Sequence, residues 1–327
     1  MKARRYSWMA VVLSTLALSG CAPTTPLPYK QVDKPYVVLR RADIKAVVVN
    51  NEAVDDDILP RHRGGYSGLA SLTHTNRSEN VFVPFYAGLN FEHIHDGTAQ
   101  NKDILFEPRR APMEIRRIDD FIVELYQPPT SYWKLESWLQ YELLADGAIE
   151  LRFECVPHER TFKNGYIGLF FAGYIDKPDS IDIHFPGCPA GEEDCKTRPV
   201  TGVTPAHGKL STHLGRCDNR NFPHDPDFPL TLVFNFSKYR FAEPWYYGIT
   251  GDMALVFIFR QAEQVRFSQS PSGGGSGHPA WDFQWYIPEY QLGRRYTFVM
   301  RLMYLPFESP EQITAAVASH ITALNSR

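Results

Sequence analysis

The segment Ala148–Val156 alternates with a period of two. Ile149, Leu151, Phe153 and Cys155 fall on one face, and Glu150, Arg152 and Glu154 on the other. Such alternation is that of a strand with one buried and one solvated face. Asp146-Gly147 immediately before it supplies a hairpin turn. The preceding run from Trp133 to Leu143 also alternates, as do Glu114–Ile118 and Phe121–Tyr126. Tyr166–Ile175 is almost continuously apolar, and its two glycines and aromatics favour a buried strand over a helix. Pro229–Phe236, Ala254–Phe259, Gln264–Phe267, Asp282–Ile287 and Tyr296–Leu305 supply further strands. Aromatic residues make up 13% of the chain and 25 prolines break it into short pieces, so the expected fold is all-β, a large antiparallel β-sandwich. No linker divides it, and residues 35–327 are expected to form one domain. Its end is a helix over 310–325, with Ser309 as N-cap, Pro310 in the first turn and Gln312 placed to close a capping box.

The N-terminus carries a different signal. Lys2, Arg4 and Arg5 precede the apolar run Met9–Leu18, which is followed by Ser19, Gly20 and Cys21. This order is that of a secretory signal peptide over residues 1–20. Leu18-Ser19-Gly20-Cys21 resembles the lipobox of bacterial lipoproteins, which implies cleavage before Cys21 and lipid attachment there. Residues 21–34 then read as a lipidated tether rich in Pro and Thr. The residue after the cysteine is Ala22, with no acid, so the resemblance implies the outer membrane of a bacterial envelope. No other apolar run is long enough to span a bilayer. With 34 basic and 37 acidic residues, the chain has no basic footprint for nucleic acid. Four cysteines besides Cys21 suit disulfides in an oxidising compartment. Cys188 with Cys195 and Cys155 with Cys217 is one of three pairings they permit.

Several segments carry groups suited to a binding or catalytic site. Phe267–Trp285 places four glycines in a loop between aromatic flanks. Glycine permits close approach to a ligand, and Trp281 and Trp285 beside Asp282 and Gln284 offer stacking faces next to hydrogen-bonding groups. The alternative is a wide hairpin with two core tryptophans. His93 and His95 lie two apart on an expected strand, so both imidazoles face one side. That spacing can offer two ligands to a divalent metal, or two donors to a sugar. No cofactor other than such a metal is expected. Pro178 to about residue 206 is an irregular excursion, of the kind that builds or covers a site. It ends near His207 and His213, either of which suits a general acid or base. Glu92, Glu154 and Asp282 are the candidate carboxylates; Arg152 and Trp245 complete the candidate sugar contacts.

The order of elements, from Gly64–His74 through Leu89–His93, the long Trp133–Leu151 hairpin and the aromatic Tyr166 strand to the histidine-bearing loops, resembles the galactose mutarotase-like super-sandwich. That family includes aldose epimerases, polysaccharide lyases and accessory domains of glycoside hydrolases. The resemblance implies a carbohydrate ligand. It also implies a His acid, from His93, His95, His207 or His213, and a Glu base, from Glu92 or Glu154. The expected function is a lipid-anchored carbohydrate-active protein, a glycoside hydrolase or polysaccharide lyase. The alternatives are a non-catalytic carbohydrate-binding lipoprotein and a structural envelope lipoprotein.

Overall fold

In a computed structural model, which describes residues 28–192 and 196–326, the alternating segment becomes the strand Ile149–Pro157. It pairs antiparallel with Leu135–Leu143 on one side and Tyr296–Pro306 on the other. These belong to a sheet of 16 strands that runs from Lys30–Gln31 at one edge to Asn90–His95 at the other. Nearly every pairing is antiparallel; Thr212–Gly215 and Phe236–Phe241 run parallel. A second sheet of three strands, Tyr36–Arg41, Ile44–Val49 and Gly68–His74, contributes Val37, Leu39, Ala46, Val48 and Leu72 to the core shared with Leu139, Leu151 and Phe171. The chain is therefore all-β and mostly antiparallel, with a C-terminal helix, as the alternation predicted.

That core is aromatic. Phe171 and Phe283 stack at 4.8 Å with ring planes 3° apart, and Phe91, Phe153 and Phe298 meet one or both of them at 5.2–5.7 Å. Trp281 and Trp285 lie in this same core. The hairpin reading of the glycine stretch was therefore the right one. Arg266–Ser270 and Ala280–Pro288 pair across it, and the loop between them closes on itself, Gly274 N–H donating to the His278 carbonyl at 2.9 Å. Trp281 is wholly buried and donates Nε1–H to the Ile181 carbonyl at 3.1 Å. It is not a stacking platform.

The helix Pro310–Asn325 begins as expected, with Gln312 N–H donating to Ser309 Oγ at 3.2 Å. The Gln312 side chain reaches past the N-cap to Glu308 N–H and the Pro306 carbonyl, so the capping box does not close on Ser309. Ile313, Val317 and Leu324 bury against Trp245, Val256, Ile258 and Met303. Trp245 thus packs under the helix.

Two further expectations change. The segment read as a tether enters the sheet, because Lys30 and Gln31 pair with Arg117 and Arg116. Cys155 and Cys217 are both free: Cys155 is sealed in the core and Cys217 is exposed, so no disulfide joins them. Cys21 and Cys195 lie outside the described residues. No helix among the described residues is long and apolar enough to cross a membrane.

Close packing around Trp281 gives a direct test of its role. A Cβ at Gly248 would sit 2.2 Å from the Trp281 indole. Gly248→Ala should therefore destabilise the protein by about 1–3 kcal/mol, the usual cost of overpacking a core, read as a lower urea midpoint. An unchanged midpoint would mean the indole does not occupy that position.

Candidate functional site

Strand register sorts the sequence candidates into two faces. Across one side of the sheet run His93 opposite Phe170, Phe170 opposite Gln284, and Gln284 opposite Arg266. Asp282 stands opposite Ser268, and Ser268 opposite Thr212. His95 and Tyr286 flank Gly168 on the same side. This face is polar, yet it is buried. The opposite face carries Phe91, Phe171, Phe283, Phe267 and the aromatic core. His93, His95, Asp282 and Gln284 are thus brought to one surface. His207 joins its rim, with Nδ1 2.9 Å from Ser270 Oγ. His213 falls on the core side against Phe185 and is not part of it.

What buries the polar face is the loop from Arg216 to Asn235. Ser211 and Thr212 donate their hydroxyls to the Leu232 carbonyl, and Tyr166 donates its phenol to the Pro223 carbonyl at 2.9 Å. Phe228 packs 5.3 Å from the His95 ring. Phe222 lies flat on Tyr286, 4.2 Å away and 12° from parallel. Asp218 is gripped by two guanidiniums, Arg266 Nε at 2.8 Å and Arg220 Nε at 2.9 Å. Burial would raise the Asp218 carboxyl; Arg220 and Arg266 hold it well below the ordinary carboxylate range.

Where this loop meets the strands a cavity of about 330 Å³ opens. Its walls are Phe222, Tyr286, Tyr166 and the 47% exposed Phe236, with Arg220, Arg240, Arg266 and Asp218 between them. Arg266 lies within 4.9–5.7 Å of the ring centres of Tyr286, Phe222 and Phe236. Burial pushes the Tyr286 phenol up to about 12, against the pull of Arg266, so it is a neutral hydrogen-bonding group at neutral pH. The arginines and Asp218 escaped the sequence reading. A signal for Arg266 and Tyr286 was present: Arg266 and Ser268 flank Phe267, and Asp282, Gln284 and Tyr286 alternate with Phe283 and Trp285, and period two places each set on one face.

The candidate carboxylates do not converge on this cavity. Glu92 sits in the irregular stretch of its strand, where the register with Phe170 and Phe171 shifts. Its carboxylate takes bonds from Arg109 and Tyr174 and lies 3.3 Å from His93 Nε2. Burial raises it, and Arg109 and His93 bring it down to about 2. Asp282 accepts from Gly173 N–H at 3.0 Å; burial, helped by the charge on Glu92, pushes its carboxyl well above the usual value. Both are sealed from solvent. Glu154 pairs with Arg295 on a distant part of the sheet, and Arg152 stands on the same strand opposite Gln140. Gln284 spends its amide on Thr212 and Tyr286. Trp285 packs on Phe298 in the core. As for a metal, no group of three or more His, Cys, Asp or Glu is placed to hold one among the described residues. His93 sits between Phe106 and Phe170 with Nε2 beside the Glu92 carboxylate, and His95 faces Phe228 and Tyr286.

No family model matches the sequence, and no curated protein does. Among solved structures, a galactose mutarotase-like protein from Lactobacillus casei is 8% identical over 82% of this chain and 99% of its own, with a TM-score of 0.48. An alpha-N-acetylgalactosaminidase from Bifidobacterium bifidum is 12% identical over 88% of this chain and 38% of its own, with a TM-score of 0.48. A heparan sulfate lyase from Pedobacter heparinus is 10% identical over 89% of this chain and 38% of its own, with a TM-score of 0.42. Likeness at this level assigns no activity.

The buried titratable groups make stability depend on pH in opposite senses. Burial lowers His95 and His213 to about 3. Unfolded imidazoles take up protons near 6.5, so the unfolded chain binds more protons than the fold between those values. Their stabilisation is complete above about pH 6.5 and is lost as pH falls toward 3. Asp282 runs the other way, because burial makes its folded carboxyl hold its proton to higher pH than the unfolded one, which ionises above about 3.9. Its cost therefore grows as pH rises. Asp282→Asn should gain stability relative to the natural protein between pH 4 and pH 8, measured by urea unfolding; a gain that shrinks as pH rises would contradict the assignment.

Proposed function

We propose that the protein is a carbohydrate-binding lipoprotein whose ligand enters the cavity beneath Phe236 and Phe222. The observation that supports this reading is the pairing of a half-exposed aromatic ring with charged hydrogen-bonding groups in one cavity of suitable size. A sugar ring presents C–H groups on its faces and hydroxyls at its edge. Phe236 and Phe222 suit the former; Arg220, Arg240 and the Tyr166 phenol suit the latter. A cavity of about 330 Å³ is at the lower end of small-ligand sites and matches one or two sugar rings.

Binding is a better reading than hydrolysis on the geometry of the carboxylates. Glycoside hydrolysis places two carboxyl groups on either side of the scissile bond. Among the residues lining the cavity Asp218 is the sole carboxylate, and both its oxygens are engaged by Arg266 and Arg220. Glu92 and Asp282 are enclosed behind Tyr174, Arg109 and the covering loop. The lining offers three groups as a lyase base: burial raises the Tyr166 and Tyr286 phenols, and the His224 ring lies stacked on Phe234 at 4.0 Å.

The anchor belongs to the same proposal. Cys21, after the apolar run and lipobox, would hold the domain at the outer membrane of a bacterial envelope, so that a bound sugar is retained at the surface or in the periplasm. Mass spectrometry of the mature N-terminus would find diacylglycerol on Cys21, and none after Cys21→Ser.

A glycan screen tests the binding. Phe236→Ala should leave the unfolding midpoint within about 0.5 kcal/mol of the natural protein, as for an exposed site. It should weaken the captured sugar by roughly tenfold, the loss of one stacking ring. Unchanged affinity would move the ligand out of this cavity.

A further inference from the structure

The charge of the cavity narrows the class of sugar. Three guanidiniums line it, and a single carboxylate does. Asp218 is shared by Arg266 and Arg220, which leaves that trio with one net positive charge. Arg240 adds another. Its Nη1 donates to the carbonyls of Gly215 at 3.1 Å and Asp218 at 2.8 Å, which are neutral acceptors, so its charge is held in place but not cancelled. Of the two other acids on the covering loop, Asp225 turns its carboxylate to Ala99 N–H at 2.8 Å, and neither it nor Asp227 lines the cavity. Aromatic walls of low polarity concentrate the field of these cations in the opening.

A neutral sugar would leave two positive charges facing it in a partly dehydrated pocket. A carboxylate or sulfate would accept charge-assisted hydrogen bonds there, although Arg220 already gives Nε and Nη2 to Asp218. Building on the carbohydrate reading above, we propose that the ligand is an anionic saccharide, its carboxylate or sulfate held by Arg220 and Arg240 while its ring lies on Phe236.

Isothermal titration of the full chain in detergent tests this with three probes: an oligogalacturonate, which carries carboxylates only, a carrageenan oligosaccharide, which carries sulfates only, and a maltooligosaccharide. The acidic probes should bind and the neutral one should not. Which acidic probe is tighter separates carboxylate from sulfate. Affinity should fall by roughly tenfold between about 0.02 M and 0.3 M salt, because screening weakens an exposed charge pair. Arg220→Gln and Arg240→Gln should each weaken binding by roughly tenfold. Arg240→Lys, which keeps the charge, should recover part of the loss, and far-UV melts of the variants separate unfolding from lost contacts. If the maltooligosaccharide binds as well as the acidic probes, insensitive to salt and to both Gln variants but weakened by Phe236→Ala, the anionic assignment fails and the carbohydrate reading stands. If none of the three binds, both fail.

Discussion

One side of the sheet near its Asn90–His95 edge is polar and buried, and that condition governs much of what surrounds it. Arg266, Thr212, Asp282 and Gln284 cannot be left facing an apolar layer, since each unpaired polar group there would cost a few kcal/mol. The covering segment therefore brings backbone carbonyls and charges of its own. Leu232 and Pro223 offer carbonyls to Ser211, Thr212 and Tyr166, and Asp218 offers a carboxylate to Arg266. Between these polar contacts, Phe228, Leu232 and Val233 pack against Phe170 and Ala172. The loop spans several strands and answers Ser211, Thr212, Tyr166 and Arg266, while Asp282 and Gln284 find partners within the sheet and Ser268 Oγ is left without one.

Asp218 and Arg266 tie this loop to the sheet. Both side chains are nearly fully buried, so removing either would leave an unpaired charge in the interior. Such a pair adds little net stability over an apolar one of equal size, but it fixes position. Here it fixes the start of the loop against the Arg266 strand, and Phe222 follows four residues later to lie on Tyr286. The cavity between Phe222 and Phe236 takes its shape from that anchorage.

Much of the scaffold was legible in the sequence. Alternation at 148–156, the hairpin turn before it and the capped terminal helix all rest on short-range chemistry, and each appears where period and turn residues put it. Period two also placed His93 and His95 on one face. The site was legible only in part. Which face of a strand is the core depends on what packs above it, and the stretch around Asp282 has aromatics on one face and polar groups on the other. Reading the tryptophans as exposed inverted that choice for Trp281 and Trp285. Asp218 and Phe222 lie in a proline-broken loop with no periodicity, so nothing local linked them to Arg266 and Tyr286, more than forty residues away.

The two polar centres on this face differ in a way that decides their roles. Around Glu92, a carboxylate meets Arg109, Tyr174 and His93 with Tyr66 and Phe106 closing over the guanidinium; charge is matched by charge, the Glu92 carboxylate itself is buried, and of these Arg109 lines a cavity. Around Asp218, one carboxylate meets more positive charge than it can cancel, and the group opens on a cavity. A balanced and enclosed cluster orders the interior. An unbalanced and open one can accept an anionic group, which is why the proposed binding is placed on the arginine side of the face and not at His93 and His95.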